Sequence, residues 1–524
     1  MKNIFSILLF IATIVAFNSC SEDFLEKHPT DALSAEVFYD SKNSIDLALT
    51  SCYATLQNSM YTTNACLFDC LSDNAQQTHS GYNTTDIARG PITPTIGGYV
   101  NDIYFNSYKE IARYNIFLKT LSDYEGDDIT DAIRAQYEAE VRLLRAIRYF
   151  ELYKFYGDVP LVTEPVTIEE QYQPKVGADQ VLNQINADID FAVSNLPDKA
   201  FYQNNGHFVK SSAQVIKARV LMFDAYDDGG VAKSAVMSEV KSITNDIISK
   251  NYYDIAPSFR GLFAEDLGEQ NNNKEVIFYV NYLAPDNFAS CFGWSRAATH
   301  ISNGSGERVA VLPEFANTFE FNDGTPFSTS NPLYNPDNVY ENRDPRMYKT
   351  MFSFSVTFED GFVYNLNSPS TGYTYYKGIM SSDTQDQSEF DKTDGSDWPL
   401  MRFAEVLLMY AEAANEVDGP TAQVYDAINR IRARADIQMP AVPQGLGKDE
   451  MRNAIRHERR IELAFEGFRY DDVKRWKIAE DVLNISPDGS IYGKSFVKKN
   501  YHFPFPQSEI DRNYGALVQN PDYN

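Results

Sequence analysis

Few residues in this chain have the types and spacing that catalysis requires. His457 and Glu458 would begin a zinc-protease helix if a second His stood one turn later, but that position holds Ile461. None of the six His residues accompanies a Ser or Cys nucleophile motif, and the pattern Gly-x-Ser-x-Gly does not occur. The 73 acidic residues supply many carboxylate pairs by chance, so their number is no argument for glycoside hydrolysis. The sequence gives no positive support for an enzyme.

The remaining charged motifs favour structural roles. Glu458, Glu462 and Glu466 share one face of a predicted helix among several Arg residues, which indicates an ion-paired helix packed against its neighbours. The Asp-rich stretches 224–230 and 383–397 could supply oxygen ligands to calcium, but neither has the ligand spacing of an EF-hand loop. We interpret both stretches as solvated loops and expect no cofactor or metal.

The charge balance argues against polyanionic partners. The chain has 524 residues with 46 Lys or Arg and 73 Asp or Glu, a formal net charge of −27. Nucleic acids and anionic membrane surfaces attract positively charged proteins, so neither is an expected partner. A hydrophobic fraction of 43% and an aromatic fraction of 14% predict a packed globular core.

Aromatic residues in polar loops are the clearest binding signal. Flat aromatic rings stack on the apolar faces of sugars, while nearby polar side chains bind the hydroxyl groups. Two segments have this character, a predicted loop at 73–99 and the stretch 282–296. From them we predict the ligand-binding residues Asp73, Asn74, Tyr82, Tyr282, Phe292, Trp294 and Arg296. Aromatic rings that pack a loop against helices, and a polar connection between helices, would produce the same patterns.

Helices are predicted to position these loops. In the first half, Ile45, Leu49, Cys52 and Leu56 follow a helical period, and the longest predicted helix covers about 129–156, before Gly157. Further helices are predicted around 104–118, 181–193, 213–223 and 236–247. Successive helices of this length suggest stacked pairs like tetratricopeptide units, although no strict repeat is visible.

The second half changes character twice. Residues 252–399 are rich in Asn, Gly, Ser, Asp and Pro, with a predicted strand at 275–280 and a predicted hairpin at 352–364. Helices return at 401–417, 421–435 and 448–468. Loops on a rigid scaffold commonly carry binding residues, so we expect this insert to contribute to the ligand site.

The N-terminus has the layout of an export signal. Lys2 precedes an apolar run from Ile4 to Phe17, too short to span a bilayer, and the run ends before Ser19-Cys20. We predict a signal peptide at 1–19, lipidation of Cys20 and a linker at 20–33. Several acyl chains on Cys20 would anchor the protein firmly to a membrane. Ordinary signal-peptidase cleavage, with Cys20 incidental, is the alternative.

Four other cysteines remain after Cys20. They are Cys52, Cys66, Cys70 and Cys291, and no His or Cys cluster at zinc-site spacing accompanies them. A disulfide in an exported chain and buried free thiols are both consistent with the sequence.

Several long segments resemble the SusD/RagB family of nutrient-binding lipoproteins. Residues 139–161 (AEVRLLRAIRYFELYKFYGDVPL) are similar to its N-terminal signature, and 401–416 (MRFAEVLLMYAEAANE) to a C-terminal one. Residues 455–476 (IRHERRIELAFEGFRYDDVKRW) resemble its Arg- and Glu-rich stretch, with Tyr470 and Asp471 differing slightly from the commonest form. The endings 503–510 and 517–523 are similar as well.

The resemblance implies an all-α fold of tetratricopeptide-like helix pairs in a right-handed scaffold, with a loop-rich insert that contains short β-hairpins. We place the helical regions at 34–250 and 401–524 and the insert at 251–400. It implies a surface lipoprotein of the outer membrane that captures glycan oligomers, acts as a hinged lid on a SusC-like TonB-dependent barrel and does no catalysis. Its ligand residues lie in variable loops, so none is transferred by motif. Capture of peptides, and a surface glycoside hydrolase, are the alternatives.

Overall fold

A computed structural model gives the three-dimensional structure. It describes residues 39, 41–58, 62, 65–78, 83–263, 273–283, 309–353, 356–357, 363–364, 370–378 and 395–523. The predicted signal peptide, Cys20, Tyr82, Cys291, Phe292, Trp294 and Arg296 lie outside these residues.

The N-terminal half consists of helices that pack consecutively against one another. The helices are α1 Lys42–Tyr53, α2 Ala65–Phe68, α3 Thr84–Arg89, α4 Tyr99–Asp123, α5 Asp131–Tyr156, α6 Ala178–Asn195, α7 Lys210–Phe223 and α8 Ser234–Ser249. From α4 to α8, each helix packs against the next in the chain. Consecutive helices that pack against each other form helical hairpins, which confirms the expected helix pairs.

Helix α5 shows how the sequence sets the limits of an element. The Thr130 side chain accepts a hydrogen bond from the Ile133 backbone N–H and begins the helix. Gly157 ends it with a φ of +72°, and its N–H donates to the Tyr153 carbonyl at 3.1 Å. The apolar residues that predicted this helix, Val141, Leu144, Ile147, Leu152 and Phe155, are all buried.

The second half adds helices and short strands. The helices are α9 Pro313–Ala316, α10 Arg346–Thr350, α11 Phe403–Asp418, α12 Ala422–Arg432, α13 Lys448–Glu462, α14 Arg469–Arg475, α15 Ala479–Val482 and α16 Gln507–Arg512. Single 3₁₀ turns lie at Ala54–Asn58, Asp69–Leu71, Phe201–Gln203, Arg260–Leu262, Lys498–Tyr501 and Pro521–Tyr523. Helix α11 is central, because it packs against α8, α12 and α13.

Among the described residues, the strands are all antiparallel and form three small sheets. They are β1 Ala75–Gln77, β2 Val276–Val280, β3 Val309–Val311, β4 Met351–Phe352, β5 Val356–Thr357, β6 Val363–Tyr364, β7 Thr374–Tyr375 and β8 Trp398–Arg402. One sheet has the order β1-β3-β7-β4, a second pairs β2 with β8, and a third pairs β5 with β6. The β5–β6 pair, with Val356 opposite Tyr364, confirms the predicted hairpin.

Three predicted helix boundaries and one predicted loop were wrong. The segment 398–402 is strand β8, so the helix predicted from Met401 begins at Phe403. The helix predicted to reach 468 ends at Glu462, because Phe465 and Gly467 have φ values of +63° and +84°, which no helix accommodates. The helix predicted to reach 435 ends at Arg432. The predicted loop at 73–99 contains strand β1 and helix α3.

One apolar core runs through most of the described chain. It includes Ile45 in α1, Val276 in β2, Leu407 in α11 and Leu517 near the C-terminus. All three regions predicted from the sequence therefore contribute to the same core. A smaller cluster lies beneath the four-stranded sheet and includes Val311, Phe315 and Phe465.

The cysteines of the described segments are free thiols. Cys52, Cys66 and Cys70 are buried and form no disulfide there. Burial raises the pKa of Cys52 and of Cys66 to about 12, so both thiols are protonated at neutral pH. Among the described residues, no helix has both the length and the apolar character needed to cross a bilayer.

Candidate functional site

The four-stranded sheet brings together chain segments that carry predicted ligand residues. In its register Gln77 lies opposite Val309, and Met351 lies opposite Tyr375. Because Ala310 lies opposite Thr374 in the β3–β7 pair, Val309 and Tyr375 belong to the same end of the sheet. We call this end, formed by Gln77, Val309, Met351 and Tyr375, the loop end.

Two segments that carry predicted ligand residues attach to the sheet at the loop end. The segment 79–82, which contains Tyr82, follows β1, and the segment 284–308, which contains Phe292, Trp294 and Arg296, precedes β3. Both segments therefore join the sheet at the loop end, although they are about 200 residues apart in the sequence. The register thus brings the attachment points of two separately predicted loops to adjacent strands.

Asp73 lies just before β1, at the opposite end of the same sheet, and its carboxylate is fully engaged. Arg469 donates to it through Nε at 2.7 Å and through Nη2 at 2.9 Å, and Arg460 Nη2 lies 3.0 Å away. Burial opposes ionisation of this carboxyl, but the two guanidinium groups outweigh it and hold its pKa well below the ordinary value. Asp73 therefore ties the start of β1 to α13 and α14.

Asn74 is buried and has a similar structural task. Its Nδ2 donates to Asp69 Oδ2 at 3.0 Å, and its Oδ1 accepts from Arg460 Nε at 2.8 Å. The Phe465 backbone N–H also donates to Asp69 Oδ2, at 2.9 Å, and burial raises the pKa of Asp69 to about 6. The ligand-binding role of Asp73 and Asn74 stays a prediction, and it requires groups that already have protein partners.

Tyr282 follows β2, outside the four-stranded sheet. Its ring is only 7% exposed, and its hydroxyl donates to the Gln57 carbonyl at 3.1 Å. Its backbone N–H donates to Asp397 Oδ1 at 2.8 Å. Trp398 in β8 and Trp476 after α14 are also buried.

Sequence reasoning missed several polar and aromatic groups beside β1. Gln76 accepts from the Tyr492 backbone N–H and donates to the Ser490 carbonyl, both at 2.7 Å, which places the segment 490–492 against β1. The Arg89 guanidinium lies 4.2 Å from the centre of the Tyr492 ring. Only the register and the tertiary fold bring these residues together, since they are about 400 positions apart.

Gln77 is the most unusual polar side chain at the loop end. It is buried, its Oε1 accepts from the Thr84 hydroxyl, and its Nε2 has no hydrogen-bond partner among the described residues. An amide N–H₂ group that is buried without a partner costs free energy, so such groups are uncommon.

The Glu-rich stretch at 458–466 is confirmed as structural. Glu462 accepts from Arg402 and Arg434, and Glu466 accepts from Arg402 and from Lys377, at distances from 2.6 to 2.7 Å. These carboxylates are buried, and burial alone would favour their neutral form. The pKa values of Glu458 and Glu466 are nevertheless lowered, because the buried guanidinium groups of Arg346, Arg432 and Arg402 stabilise the charged form.

A metal centre is not evident in the described segments. No group of three or more His, Cys, Asp or Glu side chains there has an arrangement that could hold a metal ion. The Asp-rich stretch 224–230 is instead a turn in which Asp227 Oδ1 accepts from the backbone N–H groups of Gly229 and Val231, each at 2.9 Å.

Two family models match most of the chain. One, described as the SusD family, matches residues 263–523, and the other, described as starch-binding associating with outer membrane, matches residues 23–222. The SusD-like protein P2 of Formosa agariphila is 25% identical over 548 aligned positions, which cover 98% of this chain and 99% of that protein.

Solved structures show the same architecture. A SusD-like carbohydrate-binding protein from Bacteroides fragilis superposes with a TM-score of 0.77 at 25% identity, covering 93% of this chain and all of the other. Surface glycan-binding protein A from Bacteroides thetaiotaomicron, solved in complex with laminarihexaose, gives a TM-score of 0.67 at 22% identity, with 91% and 99% covered. The second likeness concerns the fold alone.

Proposed function

The chain belongs to the SusD family, and from that premise we propose that it captures glycan oligomers and performs no chemistry on them. The capture site is formed by the segments attached at the loop end, with Tyr82, Phe292, Trp294 and Arg296 as the binding side chains. The proposed setting is the outer face of the outer membrane, with an anchor on Cys20.

The observation that carries the proposal is the register of the four-stranded sheet. It joins the segment 79–82 and the segment 284–308 to neighbouring strands at one end of one sheet. The second segment contains two aromatic rings and an Arg within five positions, the residue types that stack on sugar rings and bind their hydroxyl groups.

Relatives support a glycan as the ligand. The Bacteroides fragilis structure is named as a carbohydrate-binding protein, and the Bacteroides thetaiotaomicron protein holds laminarihexaose. The ion pairs of the Glu-rich stretch support the absence of catalysis. Glu458, Glu462 and Glu466 all form buried ion pairs with Arg residues, so they are not available as an acid or a base. Delivery to a SusC-like TonB-dependent barrel, with this chain as a hinged lid, completes the proposal.

Calorimetry on the chain from Ser21 onward tests the proposal. Laminarihexaose, maltohexaose and a mixed peptide library are titrated separately, and each mixture is then analysed for cleavage products. We expect saturable binding of an oligosaccharide, with the oligosaccharide recovered intact. Released shorter products would instead identify a hydrolase, and binding of peptides alone would identify peptide capture.

Trp294→Ala is the sharper test of the site. Removing a stacking aromatic ring should weaken oligosaccharide binding by roughly tenfold or more, because a stacked ring typically contributes on the order of 1–3 kcal/mol. Asp73→Ala is less informative, since it also removes the ion pairs to Arg460 and Arg469. Tyr514→Ala is the matched control, since Tyr514 is exposed near the C-terminus, and unchanged affinity in Trp294→Ala would refute the loop-end site.

A further inference from the structure

A cleft lies outside the loop end. It has a volume of about 600 Å³ and lies between α5 and the α7–α8 connection on one side and the C-terminal segment on the other. Its lining includes Tyr153, Asp158, Asp224, Lys477, Tyr501 and Tyr523, none of which belongs to the proposed capture site. Ligand pockets of proteins commonly have volumes of about 300–1,000 Å³ and commonly lie where two regions of a chain meet.

The walls of this cleft are fixed by contacts in the core. Asn520 Nδ2 donates to the Tyr156 carbonyl at 3.2 Å and to the Phe503 carbonyl at 2.9 Å. The Phe155 and Phe503 rings stack with their centres 5.2 Å apart. The C-terminal wall is therefore held against the end of α5, so the cleft exists before any ligand enters.

Three half-buried tyrosines supply aromatic surface. Tyr153, Tyr501 and Tyr523 line the cleft, and each remains partly accessible. The Tyr153 hydroxyl donates to Asp224 Oδ2 at 2.8 Å, and the Tyr523 hydroxyl donates to the His502 carbonyl at 2.9 Å. Both hydroxyls are thereby oriented, so the rings have fixed positions against which a sugar ring can pack.

Asp224 is the acceptor that this cleft offers. One of its oxygens accepts from Tyr153, and no Lys, Arg or His in the described part of the chain lies within 4.0 Å of its carboxylate. Burial raises the pKa of Asp224 above its ordinary value, although the hydrogen bond from Tyr153 and the charges of Lys233 and Lys477 oppose this shift. A ligand hydroxyl can donate to its second oxygen.

The balance of charge in the cleft disfavours anions. Five carboxylates line it: Asp158, Asp224, Asp228, Glu480 and Asp522. Two of the four lining cations are committed elsewhere, since Arg475 pairs with Glu412 and the buried Lys474 donates to the Lys154 carbonyl. Asp158 lies 3.9 Å from Lys175 outside the lining, which leaves Lys477 and Lys498 against the other four carboxylates, so a sulfated or uronic-acid ligand would meet net repulsion.

We propose that this cleft is a second saccharide site, selective for neutral oligosaccharides, in which tyrosine rings stack on the sugar and Asp224 accepts from a hydroxyl. The proposal rests on the proposed function, because it assigns the same ligand class to a second place. Two sites on one molecule would raise the retention of a long polymer through effective concentration.

The test uses the chain from Ser21 onward, with and without Trp294→Ala, which weakens binding at the loop-end site. Laminarihexaose and maltohexaose are the neutral probes, and hexagalacturonate is the anionic probe of equal length. In the Trp294→Ala background we expect a residual saturable event with the neutral probes only. Adding Asp224→Asn and Tyr523→Ala should weaken this event roughly tenfold or more. Asp337→Asn and Tyr514→Ala are the matched exposed controls.

The outcomes separate the two proposals. A residual event that survives the cleft substitutions, or no residual event after Trp294→Ala, overturns the second site and leaves the capture function intact. Equal binding of hexagalacturonate overturns the selectivity for neutral sugars. If neither neutral probe binds the wild-type chain, both proposals fail. Asp224→Asn alone keeps the shape of the side chain, so an effect in this variant with an unchanged unfolding temperature cannot arise from misfolding.

Discussion

At the scale of single residues, the buried charges of α13 carry structure rather than chemistry. Glu462 lies in the core and accepts from Arg346 at 3.1 Å, from Arg402 at 2.7 Å and from Arg434 at 2.6 Å. Arg402 and Arg434 also share Glu275, so one carboxylate on α13 is linked through two guanidinium groups to the start of β2. Removing the anionic partner of a buried cation destabilises the fold strongly, because nothing then offsets the cost of desolvating the cation.

Glu462→Gln should therefore lower the free energy of unfolding by about 3–5 kcal/mol. The measurement is urea denaturation followed by circular dichroism. Asp449→Asn is the matched control, because Asp449 lies on the same helix, is paired with Arg452 and has an 85% exposed side chain. Exposed pairs contribute about 0–1 kcal/mol, so a Glu462→Gln effect as small as the control's would contradict a structural role for this network.

Glu412 gives the protein a pH dependence in the acid range. Its carboxylate accepts from Arg475 at 2.6 and 2.7 Å, from Trp476 Nε1 at 2.8 Å and from the Tyr226 hydroxyl at 2.7 Å. Burial opposes its ionisation, but Arg475 outweighs burial and lowers the pKa from 4.5 to about 2. The lowered pKa stabilises the fold above pH 4.5, and this stabilisation is lost as the pH falls towards 2.

The stabilisation from Glu412 should amount to about 3 kcal/mol at neutral pH, following the size of the pKa shift. Unfolding free energies of the wild type and of Glu412→Gln, measured from pH 2 to pH 7, check this. We expect the wild type to lose stability steeply below pH 4.5 and the variant to show a shallower slope there. Parallel curves in this window would contradict the assignment.

The Glu residues at 458–466 show how much of a residue's role could be predicted from the sequence. The sequence predicts that Glu458, Glu462 and Glu466 form ion pairs, and the structure confirms it. Their partners include Arg346, Lys377 and Arg402, which lie 60 to 120 positions away. Asp73 was predicted as a ligand residue from its polarity and loop position, and only the tertiary fold reveals its pairing with Arg460 and Arg469.

At the scale of elements, the helical period predicted most of the scaffold, and errors fell where the tertiary structure overrides it. The sequence predicted one helix at 401–417 because the apolar residues there are nearly continuous. The first two of these residues belong instead to strand Trp398–Arg402, which pairs with β2. A short apolar run cannot reveal whether it is a buried strand or the start of a helix. The end of α13 at Glu462 was missed for a related reason, since Phe465 adopts a positive φ that its residue type does not suggest.

Gly157 is the element boundary that the sequence predicted best, and it provides a test. Its φ of +72° and ψ of −104° lie in a region open to Gly but costly for other residues. An added Cβ would also meet His502 Nε2 at 3.4 Å. Gly157→Ala should lower the free energy of unfolding by about 1–3 kcal/mol.

The comparison variant is Gly206→Ala. Gly206 has a φ of +82°, but a Cβ there would meet no atom within 4 Å, so it reports backbone strain without crowding. We expect both variants to lose stability in chemical denaturation, and Gly157→Ala to lose more. An Ala at position 157 with wild-type stability would show that the end of α5 does not depend on this backbone conformation.

At the scale of the whole molecule, the two halves of the chain are interlocked. Besides the shared core, Lys154 Nζ lies 2.5 Å from Asp471 Oδ2, and the buried Lys494 donates to the Cys70 carbonyl at 2.8 Å. Burial lowers the pKa of Lys494 to about 8. Family resemblance predicted the helical architecture, because its motifs are the residues that build it. The ligand residues were predicted in loops, where no motif constrains them, so their prediction rested on residue type.

Anchoring is a proposed property of the whole molecule, and it would depend on a single residue, Cys20. If Cys20 carries several acyl chains, the full-length chain should sediment with outer membranes at high salt, because burial of acyl chains is insensitive to ionic strength. Cys20→Ser should move the protein to the soluble fraction and leave oligosaccharide affinity unchanged, since the capture site is formed by other segments. Cys52→Ser is the control, because this buried thiol lies within the fold.

A high-salt wash distinguishes a lipid anchor from a polar docking contact with a membrane protein. With a net charge of −27, electrostatic attraction to anionic lipids is unfavourable, so a Cys20→Ser protein that remained bound would need a protein partner. Release of that variant at high salt would then indicate a polar docking contact with a membrane protein, whereas retention at high salt would contradict the lipid anchor on Cys20. Metabolic labelling with a palmitate analogue gives the independent measurement, with label expected on the wild type and absent from Cys20→Ser.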